Sequence, residues 1–409
     1  MSGGCLQGIQ ILDLSSVVVG PLCTQILADH GADIIKVESH AGDIGRRLAG
    51  RGRSDDMSAK FLHLNRNKRS IVLDLKRAEG RDALLKLAAK ADVLLWNVRP
   101  KSMARLGLTY EDVKKVNPSI IYCGLFGFGQ NGRYRDRPAY DSIIQGASGV
   151  AALHERASGT PRYVPYVLAD RTVGLIAVQL ILVALIHRMR TGEGQSIEIP
   201  MFENMVTQVL SEHMYLSTFE PPLGGPGDPR VLDPGNQPLP TRDGYICISA
   251  NTDAQAFALF KAIGRPHLRA DPRFSSVSAR FRNVTEYFEI RKRGLSEKTS
   301  AEWLEIFDRN DVPAAPYHTL ESLMEDPHLS DAGFFQKMEH PTEGEIWSLA
   351  PASTMSAGMR EGWTGAPKPG QHTRELLASA GLAPADIDAL VDSQVAAQWR
   401  EPLKAEASP

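Results

Sequence analysis

The stretch GIQILDLSSVVVGPLCTQILADHGADIIKVE, residues 8–38, decides the fold. Two short runs rich in aliphatic residues, Ile9–Leu14 and Asp33–Glu38, lie on either side of a segment with apolar residues at helical spacing, Gly20–His30. A strand, a helix and a second strand in this order are typical of a βαβ unit, in which both strands lie parallel in one sheet. We therefore predict an α/β fold with a parallel sheet.

The same alternation continues along the chain. Further strands are predicted at Ser70–Asp74, Asp92–Asn97, Ser119–Leu125 and Ser196–Ile199, and further helices at Ala78–Ala91, Tyr110–Val116 and residues 170–190. Residues 220–240 are rich in Pro and Gly and indicate a linker or a shaped loop. Beyond them, a strand in DGYICISA and helical segments up to about residue 330 predict a smaller second domain, followed by a helical tail.

Composition argues against several classes of protein. The 409 residues carry a net charge of −2, so no global field favours nucleic acid or a membrane surface, and the length suggests roughly two to three domains. The longest apolar run, Val173–Ile186, is shorter than the roughly 20 residues of a membrane span and predicts a buried helix. The first residues lack the pattern of a secretory signal, and we expect a cytoplasmic protein. Four scattered cysteines and the absence of ligand-like spacing predict neither disulfides nor a metal site.

Two further patterns bear on ligands. The sequence GFGQNG, residues 127–132, matches the GxGxxG pattern, but the next residues, RYRDRPAYD, predict no helix whose N-terminus would bind a pyrophosphate. We interpret this motif as a turn. Basic clusters, each of which alone is typical of a solvated face, together would suit a small molecule with several phosphates. They are Arg46, Arg47, Arg51 and Arg53, then Arg66, Lys68 and Arg69, then Lys76, and then Arg133, Arg135 and Arg137.

Asp170, in the segment YVLADRTVG, lies at the start of the long apolar helix. An aspartate at this position is typical of an N-cap, which would be a structural role. The helix dipole and nearby backbone N–H groups would also lower its pKa and keep the carboxylate ionised as a nucleophile. The spacing alone leaves both roles open.

Seven segments carry a resemblance to a known family. They are residues 8–38, NRNKRSIVLDLK, ADVLLWNVRP, IIYCGLFGFGQNG, LADRTVG, RTGEGQSIEIPMFE and GQHTRELL. In this order and spacing, the chain resembles the family III CoA-transferases from about residue 6 to about residue 395. The resemblance implies a Rossmann-like large domain formed by residues 1–220 and 330–409, and an inserted small α/β domain with its linker at residues 221–329. It also implies an interlocked homodimer with the active site between domains and subunits.

The resemblance further implies a reaction. Asp170 is expected to attack an acyl-CoA thioester, to form a mixed anhydride and then an aspartyl-CoA thioester, and to pass CoA to a carboxylic acid. CoA is then a substrate, and no permanently bound cofactor is expected. The family's CoA contacts fall on Val18, Val19, Leu73, Lys76, Asn97, Val98 and Arg105.

Other expected site residues are more variable. Gly235, Asn236 and Gln237 are expected to stabilise developing oxyanions with backbone N–H groups, and Tyr140 and Asp141 are candidates for the substrate pocket. Ser39 stands where some members have a phosphate-contacting arginine, and Arg46, Arg47 and Arg135 are the candidates to replace that contact.

Three functions remain open at this point. A CoA-transferase that uses an acyl-CoA such as succinyl-CoA is favoured, with no nucleic-acid or membrane partner. A related racemase of 2-methylacyl-CoA thioesters would need a histidine where this sequence has Tyr140, whose reference pKa near 10 is a poor match for that role. A non-catalytic acyl-CoA-binding protein would use Asp170 only as a helix cap. The sequence leaves the donor and acceptor acids open.

Overall fold

The computed structural model describes residues 3–48 and 50–399, which divide into two compact units. The first unit contains the chain up to residue 148, residues 164–206 and the chain from residue 331 onward. The second unit contains residues 149–163 and 207–330. The functional division at residues 220 and 329 stays a prediction.

The described chain contains twelve strands. They are β1 (Gln10–Asp13), β2 (Asp33–Glu38), β3 (Lys68–Leu73), β4 (Val93–Trp96), β5 (Ile121–Phe126), β6 (Gln195–Pro200), β7 (Leu239–Pro240), β8 (Tyr245–Ile248), β9 (Ala314–Pro316), β10 (Phe335–His340), β11 (Gly344–Leu349) and β12 (Ala396–Ala397).

Seventeen α-helices accompany these strands within the described residues. The first nine are α1 (Val19–Asp29), α2 (Ala59–Leu64), α3 (Ala78–Ala88), α4 (Pro100–Leu106), α5 (Tyr110–Lys114), α6 (Asp141–Ala147), α7 (Val150–Ser158), α8 (Leu168–Thr191) and α9 (Met201–His213). The others are α10 (Asp253–Ala262), α11 (Val277–Arg282), α12 (Val284–Gly294), α13 (Ser300–Arg309), α14 (Leu320–Met324), α15 (Pro327–Asp331), α16 (Thr373–Ser379) and α17 (Pro384–Asp392).

The first unit is built on one seven-stranded sheet with the order β12-β3-β2-β1-β4-β5-β6. Six strands are parallel, and only β12 runs antiparallel to its neighbour β3. The predicted α/β fold with a parallel sheet is therefore confirmed. The strand order changes direction between β1 and β4, and a crevice at the carboxyl ends of two such strands is where open α/β sheets bind ligands.

Burial on both faces explains why these segments form parallel strands. β4 and β5 are buried along their whole length, as expected for strands covered by helices on either side. One apolar cluster joins Leu94 and Tyr122 of the sheet to Leu84 of α3 and Leu376 of α16. Full burial of a leucine such as Leu84 stabilises the fold by about 1.5–3 kcal/mol.

Helix α8 packs on α1 along one face and is exposed on the other. By length and composition it could cross a membrane, although 39% of its most apolar window is buried inside the unit. The exposed face carries Leu175, Val183, Ile186 and Met189. The prediction of a buried helix is therefore right for one face only, because the apolar pattern runs all round the helix.

The tail contains strands that the sequence did not indicate. β10 and β11 form an antiparallel hairpin, so that the prediction of a helical tail is wrong for residues 335–349 and right for α16 and α17. Charged residues such as Lys337, Glu339 and Glu345 lie exposed on the hairpin and obscure its strand pattern. The two-residue strand β12 depends entirely on pairing with the sheet edge at β3.

The second unit combines a small antiparallel sheet, β7-β8-β9, with α7 and α10–α14. Two apolar clusters stabilise it. Trp303 and Phe307 stack at 5.3 Å between ring centroids in one cluster, and Phe260 packs among Phe274, Tyr287 and Phe288 in the other.

Candidate active site

A cleft of about 290 Å³ lies at the carboxyl ends of the central parallel strands, at the point where the strand order changes direction. Residues that follow β1, β2, β3 and β4 line it, including Ser16, Ser39, Asp74 and Val98. We call it the switch-point cleft. Its location is the one at which an α/β sheet presents backbone turns to a ligand.

Three predicted CoA contacts, Leu73, Lys76 and Val98, line this cleft. A fourth, Asn97, does not line the cleft but makes two hydrogen bonds with the backbone of Ser16, which does. Its Oδ1 accepts from the Ser16 N–H at 3.0 Å, and its Nδ2 donates to the Ser16 carbonyl at 2.8 Å. Asn97 thus joins the turns after β1 and β4 on the two sides of the cleft.

The other predicted CoA contacts lie outside the lining. Val18 and Val19 are buried at the start of α1. Arg105 is exposed on α4, and its Nε donates to the Lys101 carbonyl at 3.3 Å. Val17, which precedes Val18 in the turn between β1 and α1, has a φ of 72°. This left-handed conformation is rare for a β-branched residue and marks the turn as strained.

A layer of six buried charged side chains supports the turns around the cleft. It pairs three cations with three anions, namely Lys68 with Asp13 at 3.1 Å, Lys36 with Asp43 at 2.8 Å and Arg46 with Glu38 at 2.7 Å. We call this set the buried charge layer. The layer also fixes the backbone of the turn after β1. Lys36 Nζ donates to the Ser15 carbonyl at 3.0 Å, and Asp43 Oδ1 accepts from the Val17 N–H at 3.0 Å.

Ion pairing and burial together set the pKa values within this layer. Burial alone would raise the pKa of Asp13, but the charges of Lys68 and Lys36 outweigh burial and lower it to about 2. Burial likewise opposes the ionised form of Glu38, but Arg46 lowers its pKa to about 2. Burial lowers the pKa of Lys68 to about 8 against the opposing effect of Asp13. These groups are structural, since each ionised form has its partner within hydrogen-bond distance.

The structure corrects part of the phosphate-binding hypothesis. Arg46 is 1% exposed and bonded to Glu38 through two nitrogens, so that it is not free to replace the contact missing at Ser39. Lys68 and Arg66 are also buried, and Arg66 pairs with Asp29 at 2.6 Å. The sequence clusters therefore mix structural cations with exposed ones.

Asp170 is the third residue of α8 and not its N-cap. The N-cap is Val167, which makes no side-chain capping bond. The first turn is capped by Asp141 of α6, whose Oδ1 accepts from the N–H groups of Ala169 at 2.8 Å and Asp170 at 3.3 Å. The capping role considered for Asp170 thus belongs to Asp141, and within the described residues no hydrogen bond or ion pair involves the Asp170 carboxylate.

The pKa of Asp170 is raised to about 7. Partial burial is the larger cause, and the negative charge of Asp141 adds to it, while Lys60 and Arg171 act in the opposite direction. The expectation that the helix dipole lowers this pKa is therefore wrong, because burial and a like charge outweigh it. A carboxyl group that titrates near neutrality is typical of functional sites.

The face of α8 that carries Asp170 packs on the turn that carries two predicted CoA contacts. Gly174, one turn after Asp170, has no side chain, and a Cβ there would lie 2.9 Å from the Val19 carbonyl oxygen. Residues four apart lie on the same helix face. Val18 and Val19 therefore connect the edge of the switch-point cleft to the Asp170 region.

Two residues of α2 that no sequence motif indicates lie within electrostatic range of this region, Lys60 of Asp170 and His63 of Arg171. Lys60 acts electrostatically on Asp170. Partial burial and the positive charges of Arg66 and Arg171 lower the pKa of His63. The available signal was a short capped helix, SAKFLHL, with a lysine and a histidine three residues apart on one face.

The two candidates for the substrate pocket have different environments. Asp141 is half-buried and also accepts from Gln145 Nε2 at 2.7 Å. Tyr140 precedes α6 and is 73% exposed, so that its ring is available to a ligand.

The predicted oxyanion loop belongs to the second unit. Its backbone N–H groups donate within the loop, from Gly235 to Asp233 Oδ1 at 2.7 Å, from Asn236 to the Asp233 carbonyl at 2.9 Å and from Gln237 to the Gly235 carbonyl at 3.0 Å. An oxyanion role requires these groups to be released, and it stays a prediction.

Two remaining expectations concern cofactors. Gly127–Gly132 follows β5 in a turn, and the next helix begins only at Asp141, which agrees with the interpretation of GFGQNG as a turn. In residues 3–48 and 50–399 no group of three or more His, Cys, Asp or Glu side chains is arranged to hold a metal ion.

Comparisons with known proteins give a consistent result. The sequence profile of CoA-transferase family III matches residues 6–373. An acyl-CoA transferase of Fusarium pseudograminearum is 35% identical over 98% of this chain and 88% of its own length. A succinate–glutarate CoA-transferase of Agrobacterium fabrum is 32% identical over 91% of this chain and 95% of its own length. The crystal structure of a CAIB/BAIF family protein from Brucella suis has a TM-score of 0.77 at 30% identity and covers 92% of this chain and 100% of its own.

Proposed function

Because the chain belongs to CoA-transferase family III, we propose that it moves CoA from succinyl-CoA to a second small carboxylic acid through covalent intermediates on Asp170. The observation that carries this proposal is the unpaired Asp170 carboxylate, which has a pKa of about 7 and no structural task in the first turn of α8. The name of a mouse relative that is 32% identical, succinyl-CoA:glutarate CoA-transferase, supports succinyl-CoA as the donor.

The first half of the proposed reaction transfers the acyl group and then CoA. An oxygen of Asp170 attacks the thioester carbonyl carbon, the carbon–sulfur bond breaks, and CoA leaves as the thiolate. The thiolate then attacks the Asp170 carbonyl carbon, the anhydride carbon–oxygen bond breaks, and the donor acid leaves as a carboxylate. The enzyme now carries CoA as an aspartyl thioester.

The second half is the same sequence in reverse. The acceptor carboxylate attacks the aspartyl thioester, which releases the thiolate and forms a new mixed anhydride. The thiolate then attacks the acceptor's carbonyl carbon and regenerates the Asp170 carboxylate. In each step the nucleophile bonds to an acyl carbon as the leaving group departs, and the enzyme holds both in place. Water must be excluded, because it would hydrolyse the anhydride.

The neighbours of Asp170 suit this chemistry. Asp141 and partial burial raise the pKa of Asp170 and make its ionised oxygen more nucleophilic, while Lys60 and Arg171 keep a useful fraction ionised. Asp141 also fixes the helix turn that carries Asp170. In the proposal, CoA lies in the switch-point cleft against Leu73, Lys76 and Val98, with Lys76 facing a phosphate.

The proposal includes a cytoplasmic homodimer. The exposed apolar face of α8, with Val183 62% and Met189 80% exposed, supports self-association because such a face is costly in water. The four cysteines, Cys5, Cys23, Cys123 and Cys247, are all free, as expected in a reducing compartment.

Trapping of the covalent intermediate tests the proposal. The protein is incubated with succinyl-CoA and hydroxylamine, which converts an aspartyl thioester or anhydride into a hydroxamate. We expect inactivation only when succinyl-CoA is present, with the modification on the peptide that contains Asp170 by mass spectrometry. An unmodified Asp170 peptide from protein that is turning over succinyl-CoA would refute the covalent mechanism.

A second measurement separates transfer from proton exchange. New CoA esters are followed by liquid chromatography for a panel of acids that includes glutarate and oxalate, with succinyl-CoA as donor. We expect a new ester with at least one acid. Deuterium uptake at the α-carbon of a 2-methylacyl-CoA without any acceptor acid would instead support the racemase.

A further inference from the structure

The second unit contains a cavity of about 330 Å³ of its own, beside the loop that carries Asn236. Three arginines, Arg230, Arg280 and Arg291, line it together with Asn236 and Asn251. We call it the arginine cavity. No Asp or Glu is found among its lining residues.

Arg291 has unusual surroundings for a buried cation. It is 7% exposed, its guanidinium donates to the Ile248 carbonyl at 2.6 Å, and its Nε is buried without a hydrogen-bond partner. No carboxylate lies within ion-pair distance of Arg291 among the described residues. Its guanidinium carbon lies 4.9 Å from the ring centroid of Phe288, in a cation–π contact. A buried donor left unpaired is unfavourable, which makes an external partner favourable.

The other two arginines differ in how far their charge is neutralised. Arg280 is paired with Asp253 at 2.7 Å and donates to the Phe274 carbonyl at 3.0 Å. Arg230 is exposed at the rim, and no ion pair of its side chain is found among the described residues. The cavity therefore carries an excess of positive charge that its own side chains leave uncompensated.

Most of the remaining wall is apolar, apart from Ser249 and Tyr287. Ala250, Val284 and Phe288 line the cavity together with Ile248, Val277 and Phe281. Guanidinium groups recognise both carboxylate and phosphate. An aliphatic wall next to them favours an anion that carries a hydrocarbon chain over a bare phosphate, because the chain can bury apolar surface. The volume is at the lower end for ligand pockets and suits a small molecule.

We propose that the arginine cavity binds the carboxylate of a small aliphatic acid, with Arg291 as the buried anchor and Arg230 and Asn236 at the rim. The binding site lies wholly within the second unit and goes beyond the transfer chemistry assigned to Asp170. The alternative is that Arg291 only ties α12 to β8 through the Ile248 carbonyl.

Calorimetric titration of the full chain with glutarate tests the proposal. Asp170→Asn protein is used throughout, so that failure of the transfer mechanism cannot affect the result. We expect saturable binding that is weakened about tenfold or more by Arg291→Met, because a charge-assisted hydrogen-bond pair is lost. Arg293→Met, two residues along the same helix with a side chain 73% exposed, is the matched control and should bind as before.

A second variant keeps the test decisive if Arg291→Met does not fold. Arg230→Gln changes an exposed side chain and should weaken glutarate binding about threefold or more. Unchanged glutarate affinity in a folded Arg291→Met protein, or in Arg230→Gln, would overturn the proposal. Tighter binding of inorganic phosphate than of glutarate, with the same dependence on Arg291, would identify a phosphate site and also overturn it.

Discussion

Asp13, at the end of β1, and Asp170, in the first turn of α8, carry the same side chain in different electrostatic surroundings. Asp13 is fully buried between two lysines, with hydrogen bonds from Thr24 and Ser15, and its pKa falls to about 2. Asp170 is partly buried beside another aspartate, and its pKa rises to about 7. Burial opposes the ionised form of both, and only at Asp13 do paired cations and hydrogen bonds outweigh it.

This difference teaches how to separate structural from functional acids in the first unit. A buried carboxylate whose bonds are all supplied by the protein has a stable ionised form and little tendency to react. A carboxylate beside a like charge, without a hydrogen bond of its own, is destabilised when ionised and gains from forming a bond with a substrate. The following predictions test this distinction, in order of decreasing effect.

The largest effect is expected on transfer activity from Asp170→Asn. The amide cannot attack a thioester, and we expect the rate of CoA transfer from succinyl-CoA to fall by about 10⁴-fold or more. Asp386→Asn is the matched control, because Asp386 is also the third residue of a helix, α17, but is exposed. It should keep the full rate. A variant at Asp170 with more than a tenth of the rate would contradict the nucleophilic role.

Asp13→Asn should produce the largest change in stability. It leaves Lys68 and Lys36 buried without their shared counter-charge, and we expect the free energy of unfolding at pH 7 to fall by about 3–5 kcal/mol in urea titrations. The double variant Asp13→Asn/Lys68→Met removes one orphaned cation and should recover part of this loss. An equal or greater loss in the double variant would show that the pairing is not the cause.

Asp170→Asn should stabilise the fold at alkaline pH. The pKa of Asp170 is raised in the folded chain, so that its protonated form stabilises the fold below about pH 4 and this contribution is lost as pH rises through about 7. Asparagine removes the cost of ionisation, and the variant should be about 1–2 kcal/mol more stable than the wild type at pH 8, allowing for partial exposure. At pH 4 the two should be equal. Thermal melts at both values, with Asp386→Asn as control, provide the measurement; a gain that is the same at both pH values would exclude this electrostatic origin.

Most of the fold could be predicted from the sequence, and the strands that could not be predicted share a common cause. The central parallel strands were predicted to within about two residues, because strands covered on both faces have continuous apolar runs. The strands β7, β9, β10, β11 and β12 were missed. These strands are polar or very short. They form because each pairs with another strand, and a local sequence pattern does not show that pairing.

Only part of the candidate site could be predicted from the sequence. Leu73, Lys76 and Val98 were expected from the resemblance, and they do line one cleft. The roles of Arg46 and Asp170 were harder to predict, because each depends on contacts with residues in other elements. Glu38 on β2 neutralises Arg46, and Asp141, 29 residues before Asp170 in sequence, caps the helix and raises the pKa of Asp170. Sequence supplies the charges, but only the fold decides which of them meet.

The smallest and most specific effect concerns the pH dependence of transfer. Only ionised Asp170 can attack, so that the wild-type rate should rise with pH and reach half its maximum near pH 7. Asp141→Asn removes the like charge and keeps an oxygen that can cap α8, so the midpoint should move about 0.5–1 pH unit lower. Lys60→Met removes an opposite charge and should move it higher by a similar amount. In pH profiles of kcat/KM, the midpoints of the two variants should therefore move in opposite directions from that of the wild type. A shift of both midpoints in the same direction would show that something other than local charge sets the reactivity of Asp170.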